Sequence, residues 1–454
     1  MPKKKKKRPT EEEPLAKAKN PAQDAMRLHR FYRGKVEMIP KCVIRGLEDF
    51  AIWYTPGVAE PCRAIAEDKE LVYELTNKWN TVAVVSDGTR VLGLGDIGPK
   101  AGMPVMEGKA LLYKYLGGVD AVPICLGTKD PDEIITAVQW LQPSFGGINL
   151  EDIAQPKCFR ILDTLRQTAE IPVWHDDQQG TATVTLAGLV NALKIVGKKL
   201  DEVHITFVGC GASNVAVSRL IFSAGANPEL AIFVDSKGTL HQDRKDIYQV
   251  RTEFADKWRY CQITNAEGRT GGIEEALRGA DVCIALSRPG PGIILKEWVA
   301  GMAKDAIVFA CANPDPEILP SEAKEAGARI VATGRSDFDN QVNNSLGFPG
   351  IFRGTLDVRA KTITDEMCHA AAGALAGMAE ERGLDEEHIL PTMEDWEVFP
   401  REAVAVGMKA QEQGIARLKV SEETLYEHAS SIIRRAREMV QLLMKESFIP
   451  PPPE

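Results

Sequence analysis

The sequence predicts an α/β protein. An N-terminal α/β domain is followed by a doubly wound, Rossmann-type parallel sheet, and a helical segment closes the chain. Three observations carry that expectation. Between 203 and about 335, five short apolar runs, "VHITFVG", "LAIFVD", "DVCIALS", "AIVFACA" and "RIVATG", alternate with helical stretches such as "VAVSRLIFSAG" and "GIEEALRGA". Runs of that kind are how strands buried on both faces of a parallel sheet read. A glycine turn, "GCGASN" (209–214), stands where the first run meets the first helical stretch. After about 350 the spacing of apolar residues is helical, in "DEMCHAAAGALAGMAEE", "PREAVAVGMKAQEQG" and "SEETLYEHASSIIRRAREMVQLLMKE".

From the N-terminus, "MPKKKKKRPTEEEP" has a basic run but no apolar h-region, so it is no secretory signal, and the acids that follow disfavour a mitochondrial presequence. A short terminal charge block reads as solvated tail or as a nuclear or nucleic-acid patch. The tail is expected over 1–24 and a first, substrate-binding domain over 25–180. A dinucleotide domain over 181–345 and a helical segment over 346–454 follow, with "PPPPE" as a loose end. The most apolar run, "TATVTLAGLVNALKIVG" (181–197), contains Thr, Asn and Lys and reads as a buried helix, not a membrane span. A net charge of −9 argues against nucleic acid as the main partner. Nine scattered cysteines without a C-x-x-C pair favour a reducing compartment, the cytoplasm, over a disulfide framework.

Two glycine turns compete for a cofactor. "GLGDIG" (93–98) fits G-x-G-x-x-G, after a strand expected at "TRVL", but "PKAGMP" follows it. Pro99 and Pro104 with Gly102 between them are expected to prevent a regular helix, and without a helix N-terminus no row of N–H groups meets a pyrophosphate. "GCGASN" lacks a small third residue, since Asn214 stands there, yet it has strand before and helix after. The cofactor turn is therefore Gly209 to Ser213, with Cys210, Gly211 and Ala212 between. Asp235 ends the next run, where a carboxylate meets the ribose hydroxyls of NAD or simply caps a turn with Gly238. Asp235 is expected to repel a 2′-phosphate and favour NAD, with Lys237 as a possible offset.

The acid pairs Glu151–Asp152 ("NLEDIAQP") and Asp176–Asp177 ("VWHDDQQGTA") either cap helices or, brought together, want a cation between them. Oxygen-only ligands select Mg²⁺ or Mn²⁺. Lys109, in an apolar stretch, reads as a desolvated lysine of lowered proton affinity or as a snorkelling one. Tyr54, before a Thr-Pro-Gly turn, is a proton donor or a satisfied hydroxyl. His175 reads as an orienting or hydrogen-bonded histidine, and Cys62 and Cys210 as small apolar fillers.

Five blocks carry a resemblance: "YTPGVAEPC", "VLGLGDIGPKAGMPVMEGKALL", "GGINLEDIAQPKCF", "PVWHDDQQGTATVTLAGL" and "SDFDNQVNNSLGFPGIFRG". In this order, over roughly 25 to 440, the sequence resembles the small, microbial-type malic enzymes. The resemblance implies oxidative decarboxylation of L-malate to pyruvate and CO₂, with NAD or NADP and a divalent metal, in a homodimer. It implies Tyr54 as general acid and Lys109 as general base. Glu151, Asp152 and Asp177 become metal ligands, with Asp176 a supporting acid beside them. Asn313 is placed on the cofactor side, and Arg90 and Asn344 on the substrate carboxylate. "GLGDIG" becomes a turn of the substrate domain, and the last helices complete the catalytic domain. Competing readings are a simple or malolactic-type 2-hydroxy acid enzyme, an amino-acid dehydrogenase, and a non-catalytic nucleotide sensor.

Overall fold

The computed structural model describes residues 19–453, so the basic run near the N-terminus lies outside the described residues. Two sheets organise the chain. The first is wholly parallel, with β1 (Thr81–Ser86), β2 (Asp120–Cys125), β3 (Gly147–Leu150) and β4 (Val173–His175) in the order β2-β1-β3-β4. The second holds β5 (Ile205–Val208), β6 (Ala231–Asp235), β7 (Gly238–Thr239), β8 (Val282–Ala285), β9 (Ala306–Ala310) and β10 (Ala328–Thr333). Their order, β10-β9-β8-β5-β6-β7, is that of a doubly wound dinucleotide fold, and the order in which strands are added reverses between β5 and β8. Only the two-residue β7 is antiparallel among these pairings. The five apolar runs became β5, β6, β8, β9 and β10. Val208, Phe207, Ile284 and Phe309 are buried, and Phe207 stacks on Phe233 with ring centroids 4.5 Å apart. Helices cover both faces, so these strands need apolar residues at successive positions instead of alternation.

The run at 181–197 forms the helix Thr181–Val196, most of it buried, packed against the helices Ala212–Ser223 and Asp365–Arg382. The terminal helices Phe348–Asp357, Asp365–Arg382, Val398–Glu412 and Glu422–Lys445 pack on one another and on the helix Pro99–Gly117. The C-terminal prolines are held against the rest of the chain: the Tyr32 hydroxyl donates to the Pro450 carbonyl at 2.8 Å, and Arg27 donates to that of Pro453. That corrects the expectation of a loose end.

"GLGDIG" also departs from expectation. Residues after it do open a helix, Pro99–Gly117, with Gly98 as N-cap and Pro99 in the first turn. A proline there removes an N–H that had no helical partner in any case, and its fixed φ suits the turn. Pro104 lies within the helix and costs it one bond; its carbonyl takes the Lys35 ammonium at 2.9 Å. Nor is "TRVL" a strand. Val91 forms an isolated bridge with Gly95, and Leu92–Leu94 is a single 3₁₀ turn.

Candidate functional site

The first sheet ends its strands at the carboxylates. Glu151 and Asp152 follow β3 directly, and Asp176 and Asp177 open a π-turn after β4. Side chains at the C-terminal ends of parallel strands face a crevice, which is where such sheets hold ligands. One oxygen from each of Glu151, Asp152 and Asp177 can be chosen so that all lie within 4.8 Å of one another. The backbone is shaped for this: Asp152 has φ +55°, and its N–H donates to Asp177 Oδ2 at 2.9 Å. A non-glycine residue in the left-handed region is strained, and the strain here turns adjacent carboxylates to one side of the strand end.

The helix Pro99–Gly117 brings in the cation. Lys109 Nζ is buried, bonds to Asp176 Oδ2, and stands 3.1 Å from Glu151 Oε1 and 4.3 Å from the Phe348 ring centroid. Asp176 is closed in further by Trp174 Nε1 at 3.1 Å and by Asn344 Nδ2 at 2.5 Å. Glu151 accepts from Asn149 Nδ2 at 2.8 Å, and Asn149 accepts from the Tyr113 hydroxyl at 2.8 Å. Burial alone would lower the proton affinity of Lys109, but Asp176 and then Glu151 outweigh it, so the ammonium is held above its usual pKa. That corrects the expectation of a lysine discharged by its apolar stretch. The apolar stretch supplies the desolvation, while the carboxylates arrive from other strands.

One lysine does not balance four carboxylates. Burial raises Glu151 well above the usual carboxylate range despite Lys109. Asp152 is pushed up to about 8 by burial and then by Asp177, and Asp176 is raised by burial. Asp152 Oδ2 is buried without a hydrogen-bond partner. An all-oxygen set with excess negative charge and an unsatisfied oxygen fits a hard divalent cation, Mg²⁺ or Mn²⁺. His175 is buried behind this set with its pKa lowered by burial. Neither ring nitrogen has a hydrogen bond, and Nδ1 lies 3.7 Å from Asp177 Oδ2. It is therefore not the hydrogen-bonded histidine of the sequence reading.

A cleft of about 850 Å³ opens over these groups, lined by Arg90, Lys109, Glu151, Asp152 and Asp177 on one side. Gly211, Ala212, Ser213, Asn313 and Asn344 line the other, so residues of both sheets share it. Gly93 of "GLGDIG" closes the seam between them. A Cβ there would meet the Asn313 carbonyl oxygen at 2.8 Å, so only glycine permits the approach.

A second cleft of about 990 Å³ continues along the ends of β5, β6 and β8, at the point where the strand order reverses. Gly209, Cys210, Gly211, Asp235, Lys237, Lys257 and Arg288 line it. Gly209 has φ +98°, and a Cβ would meet Leu286 O at 2.8 Å, whereas the space beside Gly211 is open. The open side lies at the N-cap of the helix Ala212–Ser223, where free N–H groups suit a pyrophosphate. Asn214, the residue that spoils the motif, is fully buried, and its Nδ2 donates to the carbonyls of Val208 and Gly209 at 2.9 Å each. The larger side chain replaces close packing with two bonds that tie the turn to the strand.

Tyr54 does not line either cleft; it is 70% exposed at the end of the short helix Asp49–Trp53. Met38, Leu47, Ile52 and Trp53 on the same segment are also exposed. Cys62 is exposed as well, so it is not an apolar filler; Cys210 is half-buried. Sequence reasoning passed over Lys35, which lines the first cleft, Phe348 over the lysine, and Asn149 and Trp174 behind the acids. Asn149 and Trp174 sit next to the singled-out pairs in "NLED" and "VWHDD", which was signal enough to consider them.

Residues 33–166 match the malic enzyme N-terminal domain and residues 178–411 the malic enzyme NAD binding domain. The chain is similar to the bifunctional malic/malolactic enzyme of Bacillus subtilis, 48% identical over 406 residues, covering 89% of this chain and 97% of that one. It is 51% identical over 385 residues to the NAD-dependent malic enzyme of Geobacillus stearothermophilus, covering 85% of this chain and 78% of that one. Among solved structures, that of Entamoeba histolytica malic enzyme matches with a TM-score of 0.93 at 50% identity, over 99% of this chain and 93% of that one.

Proposed function

The chain belongs to the malic enzyme family, and from that premise we propose how its own residues carry the oxidative decarboxylation of malate with NAD or NADP. The observation that bears most weight is Lys109 set between Asp176 and Glu151 in a cleft shared by both sheets. Glu151, Asp152 and Asp177 hold the divalent ion, Mg²⁺ or Mn²⁺. When bound, that ion supplies Lewis-acid polarisation, and the nicotinamide supplies the hydride acceptor.

The remaining work falls to protein groups. Arg90 and Asn344 bind the malate carboxylate and fix its orientation in the cleft. Lys109, whose proton is held less tightly once Glu151 and Asp177 are taken up in metal binding, takes the C2 hydroxyl proton in its proton-free form. Asp176, fixed by Trp174 and Asn344, keeps Nζ in place and stabilises the ammonium that results. Phe348 covers the lysine and excludes water from it. Gly209 to Ser213 and Asn313 seat the dinucleotide. Tyr54 donates a proton to C3 once CO₂ has gone. Because Tyr54 stands outside the cleft on an exposed apolar segment, we read that segment as covered in a homodimer, which delivers the phenol to the neighbouring protomer's cleft.

Nine free cysteines are consistent with a cytoplasmic setting, and no described helix is long and apolar enough to cross a membrane. Incubation with L-malate, Mn²⁺ and either dinucleotide should yield pyruvate, CO₂ and reduced cofactor in equal amounts. Lactate without net NADH would instead favour the malolactic activity named for the Bacillus relative.

A further inference from the structure

The second cleft also indicates which dinucleotide it takes, through the partners of Asp235. A carboxylate offers about four acceptor sites on its two oxygens. Here all are in use. Oδ1 accepts from the Lys237 backbone N–H at 2.8 Å and from Arg244 Nη1 at 3.1 Å. Oδ2 accepts from Arg244 Nη2 at 2.9 Å and from Lys257 Nζ at 2.5 Å. Nothing is left to receive a ribose diol, which is how a strand-end acid would select NAD.

The surroundings are cationic. Lys237, Lys257 and Arg288 line the cleft beside Ser236, against Asp235 as its one carboxylate. Arg288 is exposed and has no ion pair among the described residues. Asp246 lies behind, taken by the Arg244 fork at 2.8 and 2.9 Å and by Lys237 Nζ at 3.2 Å. Lys237, Arg244 and Lys257 outnumber Asp235 and Asp246, so that group presents a positive charge, not a negative one.

We propose that this cleft selects NADP over NAD: Lys237, Lys257 and Arg288 receive the 2′-phosphate, and Asp235 anchors Arg244 and Lys257 instead of binding ribose. The inference rests on the malic enzyme reading of the site and replaces the expectation that Asp235 repels the phosphate. A phosphate monoester brings nearly two negative charges and three acceptor oxygens, which suits two ammonium groups with donors to spare and a guanidinium without an ion pair.

The test is binding by the full-length protein, without malate or metal, read by calorimetry. NADP⁺ should bind about tenfold or more tighter than NAD⁺, and 2′,5′-ADP should exceed 5′-AMP by a similar factor. Inorganic phosphate should bind far more weakly than 2′,5′-ADP, which separates the nucleotide site from a general anion site. The Lys257→Ala/Arg288→Ala double variant should lose at least about tenfold for NADP⁺ with little change for NAD⁺. Melting curves show whether that variant folds, and the exposed Arg288→Ala change alone provides a second measure. NAD⁺ binding as tightly as NADP⁺, or variants that weaken both alike, would overturn the inference and leave the enzyme reading intact. Binding of neither dinucleotide to a folded protein would overturn the nucleotide site itself.

Discussion

The two clefts hold acidic residues under opposite conditions. In the first, Glu151, Asp152, Asp176 and Asp177 face a single ammonium, and burial raises the pKa of Glu151, Asp152 and Asp176. In the second, Asp235 is met by Arg244 and Lys257. Burial would raise it, but those hydrogen bonds hold it below its ordinary value. The first is short of positive charge. The second has positive charge to spare and is ready for an anion. Local sequence does not tell them apart, because an acid at a strand end has the same appearance in both. The difference lies in which partners the fold brings to it.

The largest effect that would break this contrast is loss of a carboxylate from the first cleft. Asp177→Asn replaces the hard anionic ligand we propose with a neutral amide. It should lower malate oxidation by a factor on the order of 10³ or more and weaken Mn²⁺ binding measured by titration. An Asp177→Asn protein that binds Mn²⁺ and turns over like the parent would show that the cluster is not a metal site. Chelator should abolish the parent's activity, and Mn²⁺ or Mg²⁺ should restore it.

Next in size is the separation of Lys109 from Tyr54. Lys109→Ala should cost about 10²–10⁴-fold in malate oxidation and as much in oxaloacetate reduction, since both need the C2 proton to move. Tyr54→Phe should spare oxaloacetate reduction while overall turnover falls. The structure adds a condition: Tyr54 is exposed and Lys109 buried, so the two should differ in stability as well. Removing the ammonium leaves buried carboxylates uncompensated, costing roughly 3–5 kcal/mol in metal-free protein, while Tyr54→Phe should cost almost nothing. Mixing the two variants tests the homodimer. If Tyr54 serves a neighbouring cleft, Lys109→Ala and Tyr54→Phe chains together should regain part of the lost turnover, and no recovery in proven mixed dimers would remove that arrangement.

Much of this was legible in the sequence, and what escaped is informative. The strands of the second sheet could be read because burial on both faces demands unbroken apolar runs such as "ITFV" and "AIVFA". The residues Arg90, Lys109, Glu151, Asp177, Asn313 and Asn344 do meet in one cleft. The helix after "GLGDIG" was missed because Pro99 was weighed as a helix breaker when its first-turn position makes it harmless. The charge on Lys109 was out of reach because Asp176 lies 67 residues away in the chain, a range set by topology that no local window contains. The saturation of Asp235 is partly local, since Lys237 and Arg244 lie two and nine residues on, and only Lys257 comes from farther, on the helix Ala255–Ile263.

A smaller effect, of a few kcal/mol, is the pH dependence of metal-free stability. Asp152 is held at about 8, against an ordinary value near 3.8. The folded protein thus keeps a proton that the unfolded chain releases. This stabilising contribution is complete below about pH 4 and is lost as pH rises through about 8. Metal-free protein should therefore melt at lower temperature at pH 8 than at pH 6, and saturating Mg²⁺ should remove most of that slope. Asp235 has the opposite sign: its contribution is present above about pH 4 and is lost on acidification. Equal slopes with and without Mg²⁺ between pH 6 and 8 would mean that the first cleft is not short of cations.

The smallest expected effect lies in the second cleft and sharpens the contrast from its other side. Lys237 is 68% exposed and meets Asp246 at 3.2 Å, so its ion pair adds little to the fold. Lys237→Ala should leave the melting temperature within about a degree of the parent's, because an exposed pair is worth at most about 1 kcal/mol. Its influence on a bound 2′-phosphate should still be measurable, near 1 kcal/mol at about 4 Å in water, or roughly fivefold in NADP⁺ affinity. NAD⁺ affinity should not move. Since the charge is solvated, the fivefold should shrink as salt is raised from 0.05 to about 0.5 M, whereas an effect passed through buried Arg244 would persist. A salt-insensitive loss would place the phosphate against the Arg244–Asp235 pair and away from the cleft mouth. No loss at any salt would leave Lys257 and Arg288 as its partners.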